Sequence, residues 1–231
     1  MKIDIKKFGF HNYLKDIRHV SLMWCPNDKK GFMNSTIGQI YNDNMSVWIE
    51  KLCTDQDNKV FLEVGTWNGL GSTKVFIDSL HGRTDIEFYS LECNKEKSEY
   101  ARDIHHNLSN IHILNEILVN VTVEDICEIF PELNDNAEMR RWNEIDIENS
   151  NTCKVFNFNN DFDVVLLDGG EFTTYHEFKR IEDHCKYLLL DDINTNKCKK
   201  IVEEIKSQPT KWNILEENTK DRNGFMVCVR S

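Results

Sequence analysis

The sequence predicts an α/β domain built on a doubly wound, mainly parallel, seven-stranded sheet with an antiparallel last strand. Three observations carry that reading. Short apolar runs (VFLEV at 60–64, FDVVLLD at 162–168, YLLLDD at 187–192) have the continuous character of strands covered on both faces. Stretches of helical apolar spacing separate them, and alternating strands and helices build parallel sheets with right-handed crossovers. The first run ends in a loop with Gly65, Gly69 and Gly71 and passes at once into a helix. Such a strand–turn–helix unit suits a nucleotide-like ligand, because glycines allow close approach at a helix N-terminus.

Residues 1–59 read as an N-terminal extension of the same domain with one amphipathic helix. The turn residues Pro26, Asn27, Asp28 and Gly31 make 24–34 a loop. Thr36–Cys53 has Ile37, Ile40, Tyr41, Trp48, Ile49 and Leu52 on one stripe, with Thr36 and Gln39 as a capping box. This helix either packs on the sheet or, with the loop before it, roofs the ligand site. Residues 60–231 carry the sheet. After the glycine loop, the helix through Ile77 and Leu80 ends at His81-Gly82. Ile86–Glu92 is a second strand, and Asn94 caps a helix bearing Tyr100, Ala101, Ile104 and Leu108. Ile111–Leu114 is a third strand, and Val121–Phe130 a helix stopped by Pro131.

Residues 132–160 are polar and Asn-rich, an insertion expected to hold some structure of its own, as a substrate-facing flap or a surface excursion. Phe162–Asp168 is the fourth strand. Thr174 and Glu177 form a capping box opening a helix with Phe178, Ile181 and Cys185 on one face. Tyr187–Asp192 is the fifth strand, followed by a helix through Cys198, Ile201, Val202 and Ile205 that ends by Pro209. Lys211–Leu215 and Gly224–Val229 are the last strands, and the short link NTKDRN suits an antiparallel pair.

At 231 residues the chain can bury a full α/β core as one domain. Its 40% hydrophobic and 29% charged residues fit a folded rather than a disordered chain. A net charge of −11 disfavours nucleic acid and anionic lipid as partners. The eight cysteines contain no C-x-x-C pair and read as free thiols in a reducing compartment. No apolar run reaches membrane-spanning length and the first residues lack an apolar signal core, so the expected location is cytoplasmic, away from membranes.

The glycine loop reads E-x-G-x-x-x-G-x-G. A dinucleotide fingerprint requires G-x-G-x-x-G, and Trp67 stands at its second glycine, which counts against a nicotinamide-dependent oxidoreductase. The segments EVGTWNGLGS, SLEC, VVLLDGGEFTTY and YLLLDDINT together resemble class I S-adenosylmethionine-dependent methyltransferases, most of all the group of catechol and caffeoyl-coenzyme A O-methyltransferases and their bacterial relatives. The resemblance covers roughly residues 60–230 and implies a Rossmann-like methyltransferase fold with S-adenosylmethionine as cofactor. The acceptor it implies is a hydroxyl of a small molecule or carbohydrate. A non-catalytic S-adenosylmethionine-binding module is the alternative.

Carried onto this chain, the resemblance makes Gly65, Thr66, Trp67, Gly69, Gly71 and Ser72 the cofactor loop. Glu63 would pair with the cofactor's amino group, or would anchor the turn by hydrogen bonds. Glu92 would accept both ribose hydroxyls, as acids do after second strands, or would serve as an acid near a helix N-terminus. Trp67 would pack on the methionine portion or belong to the core, and Asn115, with Glu116, would border the adenine.

Asp168 and Asp191 end consecutive strands, and Asp192 follows directly. On neighbouring strands about 4.8 Å apart, such carboxylates converge and repel unless protonated or neutralised, and a hard divalent cation is a common answer. The resemblance implies the same: catechol-type enzymes hold magnesium with Asp, Asp and Asn at these positions, where this chain has Asp168, Asp191 and Asp192. Asp168 would border cofactor, metal and acceptor alike. Where that group has a lysine three residues beyond the first aspartate, this chain has Glu171, so Glu171 or His176 is the candidate base.

Overall fold

The computed structural model describes residues 38–105 and 109–231, with only the backbone of Trp142. The expected loop at 24–34, Thr36 of the Thr36–Gln39 capping box, Ile37 and Leu108 lie outside these residues. In chain order the elements are α1 (Asn44–Thr54), β1 (Val60–Val64), α2 (Ser72–Ser79), β2 (Glu87–Leu91), α3 (Lys95–Ile104), β3 (Ile111–Leu114), β4 (Glu116–Ile117), α4 (Val123–Ile129), a 3-10 turn (Pro131–Asn134), α5 (Ala137–Ser150), β5 (Lys154–Val155), β6 (Phe162–Leu167), α6 (Thr174–Ile181), β7 (Cys185–Asp191), α7 (Asn196–Ser207), β8 (Trp212–Asn218) and β9 (Phe225–Arg230).

The main sheet has seven strands in the order β3-β2-β1-β6-β7-β9-β8, and β4 and β5 form a separate parallel pair. The strands from β3 to β7 are parallel, while β9 runs antiparallel to both β7 and β8. This is the predicted architecture, closed by the predicted hairpin.

Alternation along the central strands splits the core into two layers. Val164 and Leu166 of β6 face one side with Phe61, Phe88, Val227, and Ile49, Leu52 and Phe76 of α1 and α2. Val165 and Leu167 face the other with Leu62, Leu188, Leu190, and Phe178, Ile181, Ile201 and Ile205 of α6 and α7. Both layers are buried, which is why these strands read as unbroken apolar runs.

Two helix starts differ from expectation. α1 begins at Asn44, capped by the Asp43 side chain, which accepts from the Ser46 N–H at 3.0 Å. The six residues before it are turns: the Gly38 N–H donates to the Leu70 carbonyl at 3.1 Å, and Asn42 takes a left-handed φ of 67°. The expected Thr174–Glu177 capping box does not form. The Thr174 hydroxyl donates to the Gly170 carbonyl at 2.8 Å, and Thr173 precedes the helix without a side-chain cap. A capping box does open α4, between Thr122 and Asp125. The polar stretch 132–160 contains the 14-residue helix α5, whose Ile147 joins Ile126, Phe130, Leu133 and Phe172 in a small apolar cluster.

The seven cysteines among the described residues are free thiols, four of them buried. No helix among the described residues is long and apolar enough to cross a membrane.

Candidate functional site

Strand register places the site. Val64 pairs with Leu91 and Leu167, Leu91 with Leu114, and Leu167 with Leu190, so these five residues form one row across the sheet. The next residue of each strand lies at one edge, and in spatial order these are Asn115, Glu92, Gly65, Asp168 and Asp191. This is the carboxyl edge of the parallel strands. The chain leaves β1 toward β2 on one side and returns through β6 on the other, so Gly65 and Asp168 flank the switch point where α/β sheets take ligands.

Glu63 points away from that edge. It shares the face of Phe61, toward α2, and is fully buried. One carboxylate oxygen accepts from the Ser72 hydroxyl; the other accepts from Ser90 and, at 2.7 Å, from Thr73. The carboxylate therefore sits at the N-terminus of α2, where the helix dipole favours an anion. Burial pushes its pKa up to about 7 against the opposing pull of these three hydroxyls. Ser72 is likewise committed to Glu63, and the Thr66 hydroxyl shares a hydrogen bond with Ser90 at 2.5 Å. In this chain Glu63 is the knot that ties the glycine loop to β1 and β2.

The loop above it turns on left-handed residues: Gly65 (φ 105°), Trp67 (φ 51°) and Gly69 (φ 77°). The space that the glycines leave is filled by the chain itself. A Cβ on Gly65 would lie 2.2 Å from the Asp168 carbonyl oxygen; one on Gly69 would lie 2.9 Å from Ala101 Cβ; and Gly71 packs on Gly38. Trp67 holds a conformation costly for a bulky side chain. Its N–H compensates by donating to Glu92 Oε2 at 2.7 Å.

Glu92 is 7% exposed. Its other oxygen accepts from the Asn94 N–H at 2.8 Å, so two backbone donors fix the carboxylate's plane at the sheet edge. Oε2 keeps a lone pair for a further donor, and Oε1 has besides the Asn94 N–H only a long contact from the Cys93 thiol at 3.8 Å, a weak donor that a hydroxyl can displace. Asn115 donates to the Glu92 and Cys93 carbonyls at 2.9 and 3.1 Å, joining the ends of β2 and β3.

The three aspartates do converge: each offers an oxygen within 4.8 Å of the others. Their neutralisation comes from the chain. Lys197, in the first turn of α7, is 9% exposed, and its ammonium contacts Asp168 Oδ1 at 2.6 Å and Asp192 Oδ2 at 2.7 Å. Arg222, from the β8–β9 link, makes a bidentate pair with Asp191 at 2.8 and 2.9 Å and also reaches Asp43 at 2.7 Å. Asn223 donates to Asp192 Oδ1 at 3.0 Å. Burial opposes the Lys197 charge, but Asp168, Asp192 and Asp191 overcome it and hold the ammonium well above its ordinary value. The expected magnesium would need these same oxygens. In this arrangement those oxygens are engaged by Lys197, between two of the carboxylates, and by Arg222 on the third.

Glu171 lies in the turn after β6, and His176 in the first turns of α6. His176 Nε2 is buried with no hydrogen-bond partner among the described residues. Phe172, between Glu171 and His176, packs edge-on against Phe130 at 5.3 Å. Phe172 and Tyr175, on either side of this turn, thus join the apolar cluster of α4.

Sequence reasoning missed Lys197 and Arg222. Lys197 had a readable signal: helical spacing puts it in line with Ile201 and Ile205, on a stripe that should be apolar. Arg222 had none, since it sits in a link that reads as solvent-facing and takes a left-handed φ of 52°.

No protein-family model matches the sequence, and no curated protein matches it. Solved structures do. An O-methyltransferase from Bacillus cereus in complex with SAH superposes with a TM-score of 0.55 at 12% identity, covering 99% of this chain and 94% of that one. An SAH-bound methyltransferase from Podospora anserina gives 0.54 at 11% identity over 100% and 98% of the two chains. An O-methyltransferase from Streptomyces achromogenes involved in tomaymycin synthesis, in complex with SAM, gives 0.52 at 11% identity over both chains entirely (100% and 100%). At such identities the likeness is one of fold, and with the strand order above it establishes that this chain has the Rossmann-like methyltransferase fold.

Proposed function

We propose that this chain is an S-adenosylmethionine-dependent methyltransferase that acts on a hydroxyl of a small molecule or carbohydrate. One observation carries the reading. Glu92 is held by two backbone N–H groups at the carboxyl edge, beside the switch point, with one lone pair open on Oε2 and one on Oε1 met only by the weak Cys93 thiol donor, which suits two neighbouring hydroxyls such as those of a ribose. S-adenosylmethionine, when bound, supplies an activated methyl group for transfer to an acceptor oxygen.

The chain's residues have separate tasks. Glu92 orients the ribose, and the 65–72 loop, pinned from below by Glu63, sets the depth at which the cofactor lies. Asn115 borders the adenine. Glu171 or His176 would take the proton that the acceptor hydroxyl gives up, while the bound cofactor would supply the methyl and leave as S-adenosylhomocysteine. Holding donor and acceptor in register is the largest contribution such a site makes.

The test is ligand-induced stabilisation. A ligand that binds only the folded state raises the melting temperature, by an amount that grows with the logarithm of its concentration relative to its dissociation constant. S-adenosylhomocysteine and S-adenosylmethionine are expected to raise it and NAD to leave it unchanged; stabilisation by NAD alone would replace this reading with an oxidoreductase.

A further inference from the structure

The carboxylate cluster has the shape of a cation site, and the chain supplies its own cation. Oxygens of Asp168, Asp191 and Asp192 lie within 4.8 Å of one another, the span of ligands around one ion. Lys197 reaches into that span from α7 with its side chain 10% exposed, bonded at 2.6 and 2.7 Å to oxygens of two of the three aspartates. The third, Asp191, has both oxygens on Arg222. A magnesium-like ion bound to Asp168 Oδ1 would come within about 5 Å of the ammonium on the same oxygen, in surroundings that screen poorly. The two occupy one seat and exclude each other.

We propose that Lys197 is the resident cation of this site, taking the place of a divalent metal. Resting on the methyltransferase reading, this widens the acceptor class. Chelation of one ion favours two adjacent oxygens, as in a catechol or vicinal diol, whereas a site with a fixed ammonium makes no such demand and accepts a lone hydroxyl.

The experiment is a titration of the full chain with Mn2+, followed by the free-ion electron paramagnetic resonance signal, with S-adenosylhomocysteine present. Wild type is expected to take up no Mn2+ at the cluster, and its melting temperature to be the same in Mn2+ and in chelator. Lys197→Ala empties the seat and is expected to bind Mn2+ at least about tenfold more tightly than wild type, a gain lost when Asp192→Asn is added. Uptake of one Mn2+ by wild type that Asp192→Asn abolishes would overturn the proposal. So would a folded Lys197→Ala protein that binds Mn2+ no better than wild type. If Lys197→Ala does not fold, the wild-type titration decides alone. Calorimetric binding of S-adenosylhomocysteine to the same samples is a separate reading: its absence would remove the methyltransferase assignment and leave the Mn2+ result to decide the seat.

Discussion

Gly65 separates two accounts of the glycine loop. If the glycine makes room for a ligand, a side chain there leaves a folded protein that has lost binding. The geometry makes a different demand. A Cβ at Gly65 would stand 2.2 Å from the Asp168 carbonyl oxygen and 2.6 Å from its carbonyl carbon, both backbone atoms of the neighbouring strand end. Neither can move without breaking the hydrogen bond from the Asp168 N–H to the Val64 carbonyl, 2.9 Å long. Gly65→Ala therefore carries two costs: about 1–2 kcal/mol for a side chain at φ 105°, and about 1–3 kcal/mol for the overlap.

Gly82 is the control. Its φ is 84° and nothing lies within 4 Å of its Cβ position, so Gly82→Ala carries only the conformational cost. In urea unfolding the two variants are expected to keep the wild-type slope, with the Gly65→Ala midpoint lower than that of Gly82→Ala by about 1 M, from the overlap divided by a slope of about 2 kcal/mol/M. Equal midpoints would refute the reasoning, and Gly65 would then return to being a ligand-clearance position.

Glu63→Gln should change how stability depends on pH. Burial raises the Glu63 pKa from 4.5 to about 7, so the folded state keeps a proton that the unfolded state releases. The contribution is complete below the lower value and is lost as pH rises through the upper one; removing it should flatten the urea-midpoint profile by on the order of 3 kcal/mol across that window. Glu177, also pushed up to about 7 by burial, leaves a residual slope of the same sign. Arg222→Ala should destabilise by about 3–5 kcal/mol, because it strands Asp191 with its carboxylate buried; a change in melting temperature no larger than that of an exposed substitution such as Lys220→Ala would contradict the pairing. Glu92→Ala should weaken S-adenosylhomocysteine binding by about 1.5–3 kcal/mol in calorimetry, and an unchanged affinity would remove Glu92 from the ribose role.

Much of this protein can be read along its chain where one physical pattern dominates. β1 and β3 are bounded in the sequence as they are in the structure; for β1 the reason is that an apolar run buried on both faces has sharp ends. The site edge was legible for the same reason: Glu92, Asp168 and Asp191 are the first acids after such runs. α5 was not legible. Its inward face carries Met139, Asn143 and Ile147 at helical spacing, and Asn143, only 2% exposed, interrupts the apolar stripe that would reveal a helix. The start of α1 was misread because Ile40 and Tyr41 continue the stripe of the helix although they lie in turns. Those turns are set by Gly38 meeting Gly71, a contact between distant segments that no local pattern encodes.

The aspartate cluster shows where reasoning from residue types stops. Electrostatics demands that three converging carboxylates be neutralised, and that demand is visible in the strand ends alone. It does not say who neutralises them. A metal draws its charge from solution, whereas Lys197 and Arg222 must be delivered by α7 and the β8–β9 link, which lie far apart in sequence and meet only in the folded chain. The choice has a structural consequence. A bound ion can be removed and its site reloaded, but cations supplied by side chains of the chain itself tie the sheet edge to the hairpin and, through Asp43, to the start of α1. The charges at the sheet edge therefore hold the segments around it in place, and Lys197→Ala and Arg222→Ala test separate halves of that arrangement.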